Sequence, residues 1–365
     1  MRVLSFRVRV LSEFRSLITK FLSSRVYNEK TLRCKVIVIN MDNSSIEQIL
    51  ESSYKDQQST LENYMHRLTY LRDKIFRGEN TYYSILKDPE ESYRILREKY
   101  PNINTRKNYL TLILALFKNS DRLQEKLKPE MDRWKTFHGH MDSFQEAKAK
   151  KHAPDAKQIA KYTSFEEIEL KYQEIRKSED AHPSLKESLR FVLLSIIVGT
   201  PPKRSDYGRM KIYYEDDPNE KEGNYIVLRR DEPSYMVFNK YKTSKRYKRV
   251  DQELPKKTTR DIKDSVRRYP REYLFVNKSG EPFETNNSFT KYVIRVFRNY
   301  FGRDTGMTML RHIFITEKVS FDEMDDDELE GIARDMMHST GLQRRYKWNP
   351  KNVRHLLKIE SSNEK

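Results

Sequence analysis

Cys34 is the chain's one cysteine, so neither an intramolecular disulfide framework nor a cysteine-based zinc site is open to it. A reducing compartment fits that usage. Long apolar runs are missing too. The longest, Phe191 to Val198, is interrupted by Ser195 and is too short to span a bilayer, so it reads as a buried helix and no membrane partner is expected. Histidines are sparse: His66, His138, His140, His152, His182 and His355 form no metal constellation, and neither a metal nor another cofactor is expected. No internal repeat is visible. Positive charge is what the chain has in excess, with 71 Lys and Arg against 54 Asp and Glu for a formal net charge of +17. Cations interleaved with 23 Tyr and 17 Phe suit phosphate and base contacts, and nucleic acid is the default partner.

A length of 365 residues suggests two domains with room for a small third element. Residues 1–43 form a basic extension, with Arg2, Arg7, Arg9, Arg15, Lys20 and Arg25 set among Val, Leu and Phe. It has three readings: an upstream extension of the reading frame with Met41 as the natural start, an arm on DNA, or a mitochondrial presequence over residues 1–25. The first two rank above targeting. From 44 to about 155 the signals are helical. Ser59 and Glu62 have capping-box spacing, Tyr64, Leu68, Leu71 and Ile75 share one face, and Gly78 can end that helix. Asp88-Pro89 with Glu91 starts a second helix, a third runs from about Thr105 to Lys118, and a Lys-rich fourth from about Pro129 to Lys150. His152 to Asp180 reads as a linker entering a helix near Ser164 to Lys177, which places the domain boundary near 155.

The second half carries the chemistry. Ser184 and Glu187 open a core helix through Leu189, Val192, Leu193, Ile196 and Ile197, and Pro201-Pro202 stops it just before Lys203 and Arg204. Short β-like runs follow at Met210–Tyr214, Tyr225–Leu228, Tyr235–Asn239 and Val250–Leu254, the last two flanking a basic hairpin tip with Lys242 and Lys245. Tyr273 to Val276 reads as a further strand, and Phe289 to Tyr300 as an amphipathic helix. Thr308-Met-Leu-Arg311-His312 precedes a helix expected over Ile313 to Lys318. Asp325 to Glu328 suit a helix N-terminus, and His338 closes that helix. Tyr346 then follows a polar, arginine-bearing turn. A histidine that donates to a phosphate oxygen and a tyrosine free to swing toward it make a nucleophile module for phosphoryl transfer.

Arg204, Lys242, Arg311, His338 and Tyr346, in this order and each in its own local setting, resemble the catalytic set of the tyrosine recombinases, the phage-integrase family. The His-Ser-x-x-x-Gln style of residues 338–343 is similar to members from eukaryotic viruses and mobile elements. The motif resemblance covers about residues 156–350. It implies a mainly α protein with a small antiparallel β-sheet: a helical core-binding domain over 44–155, an integrase-like catalytic domain over 156–350 and a tail over 351–365. It also implies a site-specific recombinase that works through a 3′-phosphotyrosyl link. Arg204 and Arg311 would clamp one phosphate of double-stranded DNA, Lys242 (with Lys245 in reserve) would protonate the leaving oxygen, and Tyr346 would attack. Asp206 would support the clamp and His312 would orient it, while Thr308 stands where most members have a histidine and cannot carry a positive charge. A homo-tetramer on two DNA sites, no small-molecule substrate and an intracellular location at DNA complete the expectation. Leu356, Leu357 and Ile359 offer a thin apolar face for docking the tail on a neighbour. Two rivals stand: a type IB topoisomerase-like enzyme, and a recombinase-derived DNA-binding protein whose catalysis has decayed.

Overall fold

The computed structural model describes residues 42–77, 81–178 and 183–363 of the chain. The three readings of residues 1–40 and the helix stop at Gly78 fall outside them. Two compact units divide between Glu146 and Ala147.

Helices make up the first unit. α1 (Asn43–Tyr54), α2 (Gln58–Tyr70, running into one π turn over Leu71–Ile75) and α3 (Tyr82–Lys87) come first. α4 (Pro89–Lys99), α5 (Ile103–Lys118), α6 (Asp121–Lys126) and α7 (Lys128–Lys150) follow. Side-chain caps set several of the starts: Asp42, Thr81, Asp88, Asn102 and Ser120 each accept from a backbone N–H of the first turn. Pro89 stands at the start of α4, where its missing N–H costs nothing. The expected Ser59–Glu62 box does not form. Ser59 lies inside α2, and the Glu62 carboxylate is taken instead by Gln58 Nε2 at 2.9 Å. Trp134 of α7 is the central plug, fully buried, with its indole N–H donating to the Leu86 carbonyl at 3.0 Å. α5 wraps that core with Leu110, Leu112, Ile113 and Leu116.

In the second unit α8 (Ala156–Ile159) and α9 (Phe165–Lys177) lead to α10 (Leu185–Gly199). Burial of Phe191 through Ile197 on all sides makes α10 the core helix, packed between α9 and α12 (Lys256–Arg268). A sheet of β1 (Lys211–Tyr214), β2 (Tyr225–Leu228), β3 (Tyr235–Phe238) and β4 (Val250–Glu253) runs in the order β1-β2-β3-β4. It is mixed rather than antiparallel throughout, because β1 and β2 pair in parallel with Lys211 opposite Tyr225. A long connection allows this by turning back on itself at the left-handed residues Glu215 and Asn219. Asp217, inside that connection, accepts from the Tyr225 hydroxyl at 2.6 Å and the Tyr235 hydroxyl at 3.2 Å. Tyr273–Val276 contributes a single antiparallel bridge at Tyr273 rather than a strand.

The helical tip α11 (Ser244–Tyr247) closes the β3–β4 connection. Then come α13 (Asn286–Phe301), α14 (Met307–Lys318), α15 (Asp326–Asp335), α16 (Thr340–Tyr346) and α17 (Pro350–Asn363). The fold class is therefore α+β, mainly helical with one small mixed sheet. Tail residues Leu356 and Leu357 pack against the unit's own core, together with buried Val353, so that face is covered by the same chain. Among the described residues no helix is long and apolar enough to cross a membrane.

Candidate active site

Three segments far apart in sequence meet around Arg311. α14 starts at Met307, six residues before its expected start, so Arg311 sits in the helix rather than ahead of it. Its side chain is fully buried. Nη2 donates to His338 Nδ1 at 2.6 Å, and Nη1 donates to the carbonyls of Met336 at 3.0 Å and Pro202 at 3.5 Å. The guanidinium carbon lies 5.0 Å from the centre of the Tyr346 ring. One arginine thus ties the turn after α10 to the end of α15 and to α16.

His338 follows a short reversal. The capping box of Asp325 and Glu328 starts α15, and Met337 in the left-handed region (φ 56°) turns the chain inward. The His338 ring stacks on that of Tyr346, with centroids 5.7 Å apart and 28° between planes. Burial first, then the charges of Arg311 and Arg204, pull its pKa down to about 3, so the imidazole is neutral at pH 7. A guanidinium only donates, so His338 Nδ1 accepts and the ring proton resides on Nε2. That Nε2–H is buried and has no partner among the described residues, and the same is true of Arg311 Nε.

Arg204 is half-buried and makes no side-chain hydrogen bond or ion pair among the described residues, yet it is near enough to disfavour the charged forms of Arg311 and His338. Lys203 resolves differently. It is enclosed, with Nζ donating to Gln252 Oε1 and lying 5.0 Å from the Phe238 ring centre. Burial lowers its pKa to about 7, against the pull of Asp335 and Asp206 and with the push of Arg311. Of the two neighbouring cations, then, Arg204 is the one open to a ligand. Asp206 is buried too, and desolvation raises its pKa to about 6 although Arg204, Arg311 and Lys203 all oppose the rise.

Tyr346 ends α16, a helix capped by Ser339, rather than riding on a loose turn. Its carbonyl meets His312 Nδ1 at 2.9 Å, and the two rings meet edge to face at 4.7 Å. Burial holds the His312 pKa down to about 4, so the ring is neutral and its Nδ1 is the donor in that bond. His312 also stacks on Trp348 at 4.2 Å. Lys242 is exposed, but its neighbour Thr243 donates to the Met337 carbonyl at 3.0 Å, which fixes the base of the hairpin tip beside His338. Lys245 is exposed on α11. Thr308 lies exposed on the first turn of α14, three residues ahead of Arg311.

Arg204, Arg311, His338, Tyr346, Asp206 and His312 therefore come together, while Lys242 and Lys245 stay on a neighbouring element and Thr308 faces solvent. Sequence reasoning missed Gln252, Asp335 and the enclosure of Lys203. A parity signal was present for Gln252, since it shares the inward face of β4 with Val250.

Neither a protein-family model nor a curated protein matches the sequence. Among solved structures, the crystal structure of XerA recombinase aligns over 87% of this chain and 98% of that one at 14% identity, with a TM-score of 0.37. A likeness at that score decides nothing about the site, which stands on its own residues.

Proposed function

We propose that this protein binds double-stranded DNA and that its second unit cleaves and rejoins a strand through a covalent bond between Tyr346 and one phosphate. The observation that carries the reading is the pair of unmet buried donors, Arg311 Nε and the neutral His338 Nε2–H, on two side chains that both pack on the ring of Tyr346. A phosphodiester answers both with non-bridging oxygens, and Arg204, free of other bonds, adds a second guanidinium fork. The phenol oxygen forms a bond to phosphorus and the 5′ oxygen leaves with a proton from Lys242, while the phenolic proton passes to solvent. Positive groups placed where charge grows in the five-coordinate state lower the barrier. The 3′-phosphotyrosyl bond conserves the energy of the phosphodiester, so a strand can rejoin a different 5′ end. Strand exchange as a homo-tetramer on two sites, with the helical unit as a second hold on the duplex, is the activity this set serves best. Intracellular DNA is its place of action.

Incubating the full chain with a nicked duplex, whose cleaved fragment diffuses away, tests the proposal. Wild type is expected to give a denaturation-resistant protein–DNA adduct and Tyr346→Phe none. An adduct that survives Tyr346→Phe, or none from wild type, overturns it. Strand exchange between two duplexes separates a recombinase from a topoisomerase-like relaxing enzyme. Exposed Thr308, where the resemblance expects a histidine, favours the alternative of a decayed DNA-binding protein, which would bind duplex and give no adduct.

A further inference from the structure

The four residues from Tyr346 to Asn349 are each fastened, and the fasteners other than His312 lie outside the cluster described above. Lys347 extends its ammonium onto the C-terminal end of α14, donating to the carbonyls of Ile315 at 3.4 Å, Thr316 at 3.3 Å and Val319 at 2.5 Å. A cation is favoured there, because the last turn of a helix leaves carbonyls without intrahelical partners and carries partial negative charge. The Lys347 carbonyl meets His152 Nδ1 at 3.0 Å, and the Asn349 N–H donates to the His152 carbonyl at 2.7 Å. His152 holds a left-handed backbone (φ 43°), a conformation disfavoured for a residue with a Cβ and sustained here by bonds on both sides. Between these anchors the Trp348 N–H donates to Thr316 Oγ1 at 3.1 Å.

α14 carries Arg311 at one position and receives Lys347 at its end, so the helix that holds the guanidinium also holds the chain just after the phenol. We propose that Lys347 and His152 are positioning residues that keep the Tyr346 ring over the Arg311 guanidinium of the same chain. This rests on Tyr346 being the nucleophile. Neither side chain reaches the reacting atoms; each acts through the backbone of residues 347–349. Displacing a nucleophile by about 1 Å costs on the order of 10²-fold in rate, which sets the size of the effect.

The test uses the full chain and the nicked duplex under single-turnover conditions. Lys347→Met and His152→Ala are each expected to slow adduct formation by about 10²-fold while affinity for uncleaved duplex stays at the wild-type value. Lys347→Arg, which still donates to the helix-end carbonyls, and His152→Asn, whose amide can replace Nδ1–H, are expected to restore most of the rate. In a Trp134→Phe background, which leaves Trp348 as the one tryptophan, Lys347→Met is expected to shift the emission to the red. Wild-type rates in Lys347→Met and His152→Ala, or a loss the conservative variants do not restore, overturn the proposal. Exposed His152 carries the test if Lys347→Met does not fold. Absence of adduct from wild type would strike the nucleophile assignment instead.

Discussion

Two buried charged clusters lie in the second unit, and one is closed where the other is open. Around Asp261 one carboxylate oxygen accepts from the Tyr172 hydroxyl at 2.5 Å and the Ser195 hydroxyl at 2.7 Å, and the other has Arg176 at 3.6 Å. Ser188 and Ser265 bond to each other beside it, and Thr258 donates to the Ser195 carbonyl. Around Arg311 the bonds stop short: its Nε and His338 Nε2 meet nothing, and no carboxylate pairs with the guanidinium among the described residues. Burying polar groups costs free energy that bonds must offset, so a complete network stabilises the fold, whereas an incomplete one is kept at a cost to stability. The first cluster bolts α9, α10 and α12 together. The second leaves two buried donors unmet, which the proposed phosphate would answer.

That contrast predicts substitutions with opposite profiles. Arg311→Met should lower the rate of adduct formation by about 10³-fold or more, while the thermal midpoint falls by less than in Asp261→Asn, because the lost bonds to His338, Met336 and Pro202 are offset by removal of a buried cation that no carboxylate pairs. A variant that unfolds instead would make Arg311 a structural bolt like Asp261. Asp261→Asn should do the reverse, costing about 2–3 kcal/mol in denaturant unfolding and leaving the single-turnover rate of the folded protein unchanged. Lys242 and Lys245 sharpen the edge of the open cluster. Loss of the proton donor in Lys242→Ala should cost about 10²-fold in cleavage, and a substrate with a sulfur leaving atom, which needs no proton, should recover it. Lys245→Ala should leave cleavage nearly intact, and the opposite ranking would move the acid to Lys245.

The smallest effect is on stability against pH. A His338 pKa held near 3 lies below the unfolded value, so its contribution is complete above about pH 6.5 and is lost as pH falls toward 3. Asp206 runs the other way, its raised value of about 6 giving stability that is present at low pH and lost as pH rises through 6. Measuring wild type against His338→Gln at each pH cancels the Asp206 contribution. Wild type's advantage should shrink by about 1 kcal/mol or more between neutral pH and about pH 4.5, and a gap that does not change would mean His338 titrates normally.

Much of the local structure was legible because its causes are local. Asp88 with Pro89, Ser184 with Glu187, and Asp325 with Glu328 each marked a helix start the structure contains, and the apolar run from Phe191 to Ile197 marked the core helix. Where a cause lay elsewhere in the chain, the reading failed or fell short. Parallel pairing of β1 with β2 depends on a loop folded around Asp217, whose partners Tyr225, Tyr235 and Arg249 lie on other elements. Short helices such as α1 and α6 lack a long apolar stripe and were not singled out within the helical region. Arg311 was placed before a helix instead of within one, since Met307 to Leu310 gives no capping signal. Order and setting singled out Arg204, Arg311, His338 and Tyr346, which the fold brings together, but that Lys203 turns inward beside them follows from Gln252 and Phe238 on strands 35 or more positions away, which no spacing rule reaches.

The most direct measurement follows the ring nitrogens of His338 by ¹⁵N NMR in full-length Tyr346→Phe protein as duplex DNA is added, the substitution preventing turnover. If the cluster takes a phosphate, the Nε2–H signal should move downfield and become protected from exchange, while Nδ1 keeps its bond from Arg311. A His338 spectrum that stays unchanged while the DNA is fully bound would contradict the claim that these two donors await a phosphodiester.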